Sequence, residues 1–310
     1  MIADGSIMEM IVVSADGSTN IYDGSFYTNS ILNGDYEDYI VYDLVNHVDT
    51  SFRTLAMKEF RGLSGHSMGG YGAFRLGLYH SDIFSSFAAH SGPIHLENLN
   101  NPFLINFILI EAFFGPLEPD NGPMTLMMFG LSSAFSPNMD NPPWYVDLPM
   151  DSGGNVDWDV FALWQNHDPY LLVNNHVESL LNQNIYFDCG SQDELQVAPH
   201  SEDIHDVLTD LNVPHTYQSY SGTHSSHIYE RLEISYQFHS DYFESVSPVV
   251  LGDINNDGVI NVLDVVLSIN FILSVDNPSN EEMAAADLNG DGILNVLDIV
   301  LLVNMILGTI

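Results

Sequence analysis

The sequence predicts an α/β protein, a mainly parallel sheet covered on both faces by helices, followed by a small all-helical module. Three observations predict it. Strand-like apolar runs alternate with helix-period runs through most of residues 1–244. A glycine-flanked serine stands where one such strand gives way to a helix. Near the C-terminus, an acidic loop leading into an apolar helix occurs twice, 34 residues apart.

The chain of 310 residues, 45% of them hydrophobic, is long enough for one large domain and one small one. Its charge is one-sided: 42 acidic residues face five basic ones, Arg53, Lys58, Arg61, Arg75 and Arg231, for a formal charge of -37. Such a surface repels nucleic acid and anionic lipid and lacks the cations that grip phosphate. Cys189 is the single cysteine, so no internal disulfide forms, and its apolar strand setting predicts a small buried hydrophobe. The apolar run from Phe103 to Phe114 is broken by Asn106 and Glu111 and is too short to span a membrane. Met1 to Ser6 carry neither a basic start nor an apolar signal core.

Met8 to Ser14, rich in Ile and Val, predicts a buried strand ending at Ala15-Asp16-Gly17. Tyr36 to Phe52 has helical spacing, with Ile40, Leu44, Val48 and Phe52 about one turn apart. A strand is expected near Phe60 to Ser64, a helix over Tyr71 to Tyr79 and a strand over Phe84 to Ala89. Residues 94–180 break the rhythm with repeated prolines and with the aromatics Trp144, Tyr145, Trp158 and Trp164, and read as an irregular insert or a cap shaping a pocket. The alternation resumes with a strand over Ile185 to Asp188, a helix from Pro199 to Leu211, a strand over His215 to Tyr220 and a helix from Ser226 to Phe243. Residues 245–251 read as a linker, leaving a large domain over 1–244 and a small module over 252–310.

Gly65-His66-Ser67-Met68-Gly69 is a G-x-S-x-G sequence with a strand before it and a helix after it. That context makes it a nucleophile elbow: glycines two positions either side allow the sharp turn that exposes the serine at a helix N-terminus. Ser67 is the expected nucleophile and the Met68 amide one oxyanion donor. A serine needs a base, and the base an orienting carboxylate. Asp188, Asp193 and Glu194 follow one strand; Asp193, in the loop, is better placed to turn toward the serine than Asp188 at the strand end. His224 and His227 follow the next strand, with His224 in the loop and His227 at a helix start. His66 adjoins Ser67 and reads as a packing or wall residue, while the other histidines lack paired metal-ligand spacing.

Gly65-His-Ser-Met-Gly-Gly-Tyr-Gly-Ala73, with Ala88-Ala89-His90-Ser91-Gly92, resembles the esterase family of α/β hydrolases that includes esterase D, feruloyl and acetyl-xylan esterases and the antigen 85 mycolyltransferases. Asp188-Cys-Gly-Ser-Gln-Asp193 and Gly222-Thr-His224 continue the resemblance, as does Val48 to Thr54; Tyr229 stands where many members have tryptophan. The resemblance implies an α/β-hydrolase three-layer sandwich and a Ser67–His224–Asp193 triad working through an acyl-enzyme. Family members have further strands before the one matching Met8 to Ser14, and a loop among them supplies the second oxyanion amide. Either the sandwich is N-terminally truncated, the favoured expectation, or another element replaces those strands and that amide; enzyme activity is uncertain, since losing one oxyanion donor costs about 3 kcal/mol. The expected reaction is hydrolysis of carbohydrate-linked or aromatic esters, because the chain has few cations for polyanions. The alternatives are a non-catalytic scaffold-associated protein with an incomplete core, or an acyltransferase.

In the repeat, Asp253, Asn255, Asp257, Asn261 and Asp264 recur as Asp287, Asn289, Asp291, Asn295 and Asp298. Oxygen side chains at positions 1, 3, 5, 9 and 12, glycine at 6 and a backbone carbonyl at 7, here Val259 or Ile293, make an EF-hand-like calcium loop with aspartate in the last place. Two calcium ions and no organic cofactor are expected. The pair resembles a type I dockerin, which implies a secreted or cell-surface setting and a cohesin-like or cell-surface protein partner. Where dockerins often carry Ser or Thr for recognition, this chain has Val262-Leu263 and Val296-Leu297, which argues against the usual cohesin contact.

Overall fold

The computed structural model describes residues 1–246 and 249–308. It forms two compact units, Met1–Ser245 and Val246–Ile310. Residues 247 and 248 of the expected linker lie outside the described residues.

The first unit is an α/β sandwich. Its main sheet contains β1 (Gly62–His66), β2 (Ser86–His90), β3 (Asn184–Gly190) and β4 (Thr216–Tyr220), all parallel and ordered as in the sequence. Side chains alternate across a strand, so each strand feeds two layers. One face carries Phe87, Ala89, Ile185 and Phe187, which pack with Phe74 and Leu78 of helix α1 (Met68–Tyr79) and with Ile204 and Leu208 of a later helix, Ala198–Asp210. The opposite face is polar. Ser86, His90, Tyr186 and Asp188 meet the long helix Ile228–Val246 through Ser235, Phe238 and His239. The register sets His66 beside His90, His90 beside Asp188 and Asp188 beside Gln218, so chemistry-bearing residues gather at the C-terminal ends of the strands.

Met8 to Ser14 is not a strand: residues 8–19 have no regular secondary structure, and Ile11, Val12 and Val13 are exposed. A β-branched run becomes a strand only where a neighbour accepts its backbone hydrogen bonds, and β1 is the edge of the described sheet. The Tyr36 to Phe52 segment is helical from Tyr36 to Ser51, with a π stretch at Tyr39–Leu44. Residues 94–180 are more helical than their prolines suggest. Pro102, Pro123 and Pro169 each open a helix, where the missing N–H would have no intrahelical partner anyway. Helices Pro102–Glu111, Pro123–Phe135 and Trp158–Gln165 enclose a separate apolar core around Phe129, Phe135, Phe161 and Trp164.

The second unit contains helices Val262–Ile272, Asn280–Ala286 and Val296–Ile306 around Ile254, Phe271, Ala286 and Leu302. The middle helix stands between the two loop–helix repeats; Ser279 and Glu282 form its capping box. Among the described residues, no helix is long and apolar enough to cross a membrane.

His239 shows what holds the polar face together. Its ring nitrogens lie 2.8 Å from Ser64 Oγ and 2.7 Å from Ser86 Oγ, bridging β1 and β2. A side chain at Gly62 would reach within 2.7 Å of the ring. Burial holds His239 neutral and moves its pKa down to about 4. The unfolded chain therefore takes up a proton near pH 6.5 that the folded chain refuses until about pH 4. The neutral ring's contribution is whole above pH 6.5 and is lost as pH falls toward 4, on the order of 3 kcal/mol. The stability advantage of wild type over His239→Gln, measured by urea unfolding, should shrink across that window. A difference independent of pH would contradict this account.

Candidate active site

Ser67 sits at the end of β1 with φ 56° and ψ -117°, immediately before α1. A non-glycine residue adopts such a conformation only when its surroundings enforce it. They do so here. Ser67 N donates to His90 O at 2.8 Å, and Tyr71 N returns to Ser67 O at 3.0 Å. Gly65 and Gly69 pass so closely that a Cβ on Gly65 would sit 2.2 Å from Gly69 O. Gly70 meets β2 equally tightly, with an added Cβ 2.6 Å from His90 O. The elbow therefore thrusts Ser67 out at the sheet's C-terminal edge, with Met68 N at the first turn of α1, where helix amides lack intrahelical acceptors.

Two loops bring the remaining groups to Ser67. The loop after β3 carries Asp193 and the loop after β4 carries His224, both nearly buried. His224 Nε2 lies 2.9 Å from Ser67 Oγ, and His224 Nδ1 lies 2.8 Å from Asp193 Oδ2. Burial alone would raise the Asp193 pKa. The bond and charge of His224, with the Leu195 amide at 2.9 Å, outweigh it and hold the carboxyl below the usual range. An ionised carboxylate only accepts, so His224 Nδ1 donates to it and Nε2 is left to accept the Ser67 hydroxyl proton.

Three supports were invisible in the sequence as supports. Glu194 Oε2 accepts the His224 backbone N–H at 2.9 Å, fixing the histidine from its main chain. His66 Nε2 donates to His224 O at 2.7 Å, and the two rings lie 4.9 Å apart. His66 is thus a wall that also pins the loop, and burial lowers its pKa. Cys189 is buried 3.5 Å from Asp193 Oδ2, where burial and that carboxylate push its thiol pKa up, as an inert apolar residue requires. His227 is not in the cluster: it is exposed beside Glu230.

Asp188 belongs to a different relay. At the strand end it is held in a side-chain network: Asp188 Oδ1 lies 2.9 Å from His90 Nδ1, and Oδ2 accepts from Tyr186 Oη at 2.8 Å. His90 Nε2 bonds to Ser235 Oγ. This second Ser–His–Asp set has the right chemistry in the wrong place, because Asp188, His90 and Ser235 are all buried between sheet and helix.

The repeated loops adopt the same local structure. Asp253 accepts from Asp257 N at 3.1 Å and Gly258 N at 2.8 Å; Asp287 accepts from Asp291 N at 3.2 Å and Gly292 N at 2.8 Å. Asn255 and Asn289 accept from the same Asp257 and Asp291 amides, and Asp257 and Asp291 from those of Val259 and Ile293. Asn261 and Asn295 cap the following helices; Asp264 and Asp298 reach back to the cap amides and are buried. Gly258 and Gly292 have φ of 81° and 80°, the left-handed turn that position 6 needs. Among the described residues no three His, Cys, Asp or Glu side chains are clustered as a metal site. The donor set at each loop is nevertheless all oxygen, and no Lys or Arg follows Arg231 to neutralise it.

Residues 1–232 match the model of the family described as Putative esterase, and residues 251–307 match the Dockerin type I domain. Esterase Rv1288 of Mycobacterium tuberculosis (strain H37Rv) is 30% identical over 92 residues, covering 28% of this chain and 19% of that protein. The endo-1,4-beta-xylanase/feruloyl esterase of Xylanibacter ruminicola is 30% identical over 115 residues, 36% of this chain and 15% of that protein. The chain thus spans less than a fifth of the length of these curated relatives. A solved ferulic acid esterase aligns with a TM-score of 0.52 at 18% identity over 78% of this chain and 74% of its own, which shows a shared fold.

The elbow itself is testable without any substrate. Gly65→Ala should destabilise the first unit by at least about 3 kcal/mol in urea unfolding, because the atom in its way is backbone and cannot rotate aside. A loss below about 1 kcal/mol would mean that the Gly65–Gly69 approach does not hold the turn.

Proposed function

The chain belongs to the Putative esterase family, and from that premise we propose that it is a serine carboxylic-ester hydrolase acting through Ser67, His224 and Asp193. The observation that carries this reading is the unbroken relay from Ser67 Oγ to His224 Nε2 at 2.9 Å and from His224 Nδ1 to Asp193 Oδ2 at 2.8 Å, on a serine held in a strained turn. In this mechanism Ser67 Oγ attacks the ester carbonyl carbon as His224 takes its proton, and Asp193 stabilises the imidazolium that results. The carbonyl oxygen gains negative charge beside the Met68 N–H and the positive end of α1. His224 then protonates the departing alkoxide. Water, deprotonated by the same histidine, releases the acid and restores Ser67.

The substrate class we favour is a carbohydrate-linked or aromatic ester. The five basic residues leave little to bind a polyanion, and among them Arg61, Arg75 and Arg231 are engaged with Asp49, Glu37 and Asp188. Relatives named for feruloyl and ferulic acid ester cleavage support the same class. For the repeated loops we propose two calcium ions, held by Asp253, Asn255, Asp257, the Val259 carbonyl, Asn261 and Asp264, and by the equivalent set from Asp287 to Asp298. The all-oxygen donors, the left-handed glycines and the dockerin match support it. Such a module belongs outside the cell or at its surface, where calcium is abundant, and is the docking element for a cohesin-like or other cell-surface protein.

Turnover of p-nitrophenyl acetate and a feruloyl ester tests the triad: Ser67→Ala should abolish it, and Asp193→Asn should lower kcat by about ten-thousandfold. Equal rates for wild type and Ser67→Ala would sink the assignment. For the loops, added calcium should raise the thermal midpoint of the C-terminal unit and chelation should reverse it, with Asp257→Ala and Asp291→Ala each weakening the response. A midpoint indifferent to calcium in all three proteins would exclude the metal reading.

A further inference from the structure

Beside the helix Trp158–Gln165, within the 94–180 insert, lies an open polar cleft of about 440 Å³, within the size range of small-ligand sites and outside the triad. Its walls include Asp151, Asn155, Asp157, Trp158 and Asp159, with Leu148, Met150 and Val156 as the apolar part. The cleft is built on a short hairpin. Met150 and Val156 form an antiparallel bridge, Asp157 N donates to Pro149 O at 2.8 Å and Asp151 N to Asn155 O at 3.0 Å. The Asp151 carboxylate clamps the hairpin tip through the Gly153 and Asn155 amides, at 2.8 and 3.0 Å. Asp157 then caps the helix Trp158–Gln165 by accepting from Asp159 N and Val160 N.

Trp158 is the feature that this rigid frame presents. It is 58% exposed, far more than a structural tryptophan requires, while its neighbour Trp164 is buried and bonded through its ring nitrogen to Ser136. Phe161, itself buried against Trp164, supports Trp158 edge-on with ring centroids 5.8 Å apart, so the indole is braced yet open to solvent. The indole N–H of Trp158 and the carboxylate of Asp159 make no hydrogen bond among the described residues. An open indole face beside carboxylate acceptors and an amide side chain complements one ligand chemistry closely. The C–H groups on one face of a pyranose ring carry partial positive charge and lie well against the negative face of an indole. The sugar's equatorial hydroxyls are donors that suit Asp157, Asp159 and the Asn155 amide oxygen. With no Lys or Arg in the lining, uronates and phosphosugars are disfavoured.

From this arrangement we propose that the cap carries a binding site for neutral pyranose oligosaccharides, centred on Trp158 and independent of ester cleavage. It holds a glycan chain by stacking and hydroxyl bonding, with no covalent step. The site stands on its own observations, so its test does not need the esterase reading.

Calorimetric titration of the full chain with xylohexaose and cellohexaose should show binding to wild type and to Ser67→Ala alike. Trp158→Ala should weaken it about tenfold or more, Trp158→Phe should restore most of it, and Asp159→Ala should weaken it less. Polygalacturonate should bind no better to wild type than to Trp158→Ala. Circular dichroism checks that each variant keeps the wild-type fold; an exposed side chain makes that the expected result. No heat or saturation-transfer signal with either hexaose would overturn the proposal. Equal affinity in Trp158→Ala would also overturn it, placing the ligand elsewhere, as would preferential binding of the polyanion. Loss of p-nitrophenyl acetate turnover alone, with glycan binding intact, would count against the esterase and leave this site standing.

Discussion

The left-handed turn at Ser67 is the constraint on which the first unit depends. A φ of 56° at a serine is unfavourable by itself, and it persists because three separate contacts enforce it: the Gly65–Gly69 approach, the Ser67 N–His90 O bond and the Gly70 contact with the same carbonyl. These contacts also fix where α1 begins and how β1 and β2 register. From that register follows the placing of His66, His90 and Asp188 in one row across the sheet. The strain at the turn, the packing of α1 on Phe87 and the placing of the serine at the sheet's C-terminal edge are thus one structural fact seen at three scales.

The sheet carries two Ser–His–Asp relays, and burial decides what each can do. Both use a carboxylate from the β3 region, Asp188 within the strand and Asp193 in the loop that follows it. Strand residues point into a layer, where Asp188 ties His90 and Ser235 between sheet and helix and joins Tyr186 to the same network. Loop residues can turn outward, and Asp193 turns toward His224 at the sheet's edge. A relay sealed under a helix satisfies its own polar groups and stiffens the layer. A relay whose serine stands at a helix N-terminus, only partly buried, is open to reaction from outside the sheet.

The elbow was legible in the sequence because its requirement is local: glycines at fixed offsets from Ser67, a strand before and a helix after. The loop repeat was legible for the same reason, as Asp253 to Asp264 recurs in register at Asp287 to Asp298. Strand and helix positions in the sheet followed from periodicity within a few residues. What depended on partners distant in sequence was not legible. Met8 to Ser14 has strand composition but no neighbour to pair with among the described residues. Asp188 read only as a strand-end residue, because its partners His90 and Ser235 lie far away in sequence. The prolines of the cap suggested irregularity where they mark helix starts, and Glu194 gave no sign that it would hold the His224 amide. The Trp158 platform follows a bridge between Met150 and Val156 that the sequence did not announce.

The most direct test of the central claim is covalent labelling of the proposed nucleophile, because the molecule contains its own rival in Ser235. A small fluorophosphonate, followed by peptide mass spectrometry, should modify Ser67 once per chain, and the adduct should vanish in Ser67→Ala and fall sharply in His224→Ala. His90→Ala, if folded, should leave labelling at Ser67. An unlabelled Ser67 in a folded chain, or an adduct on Ser235 in its place, would contradict the assignment.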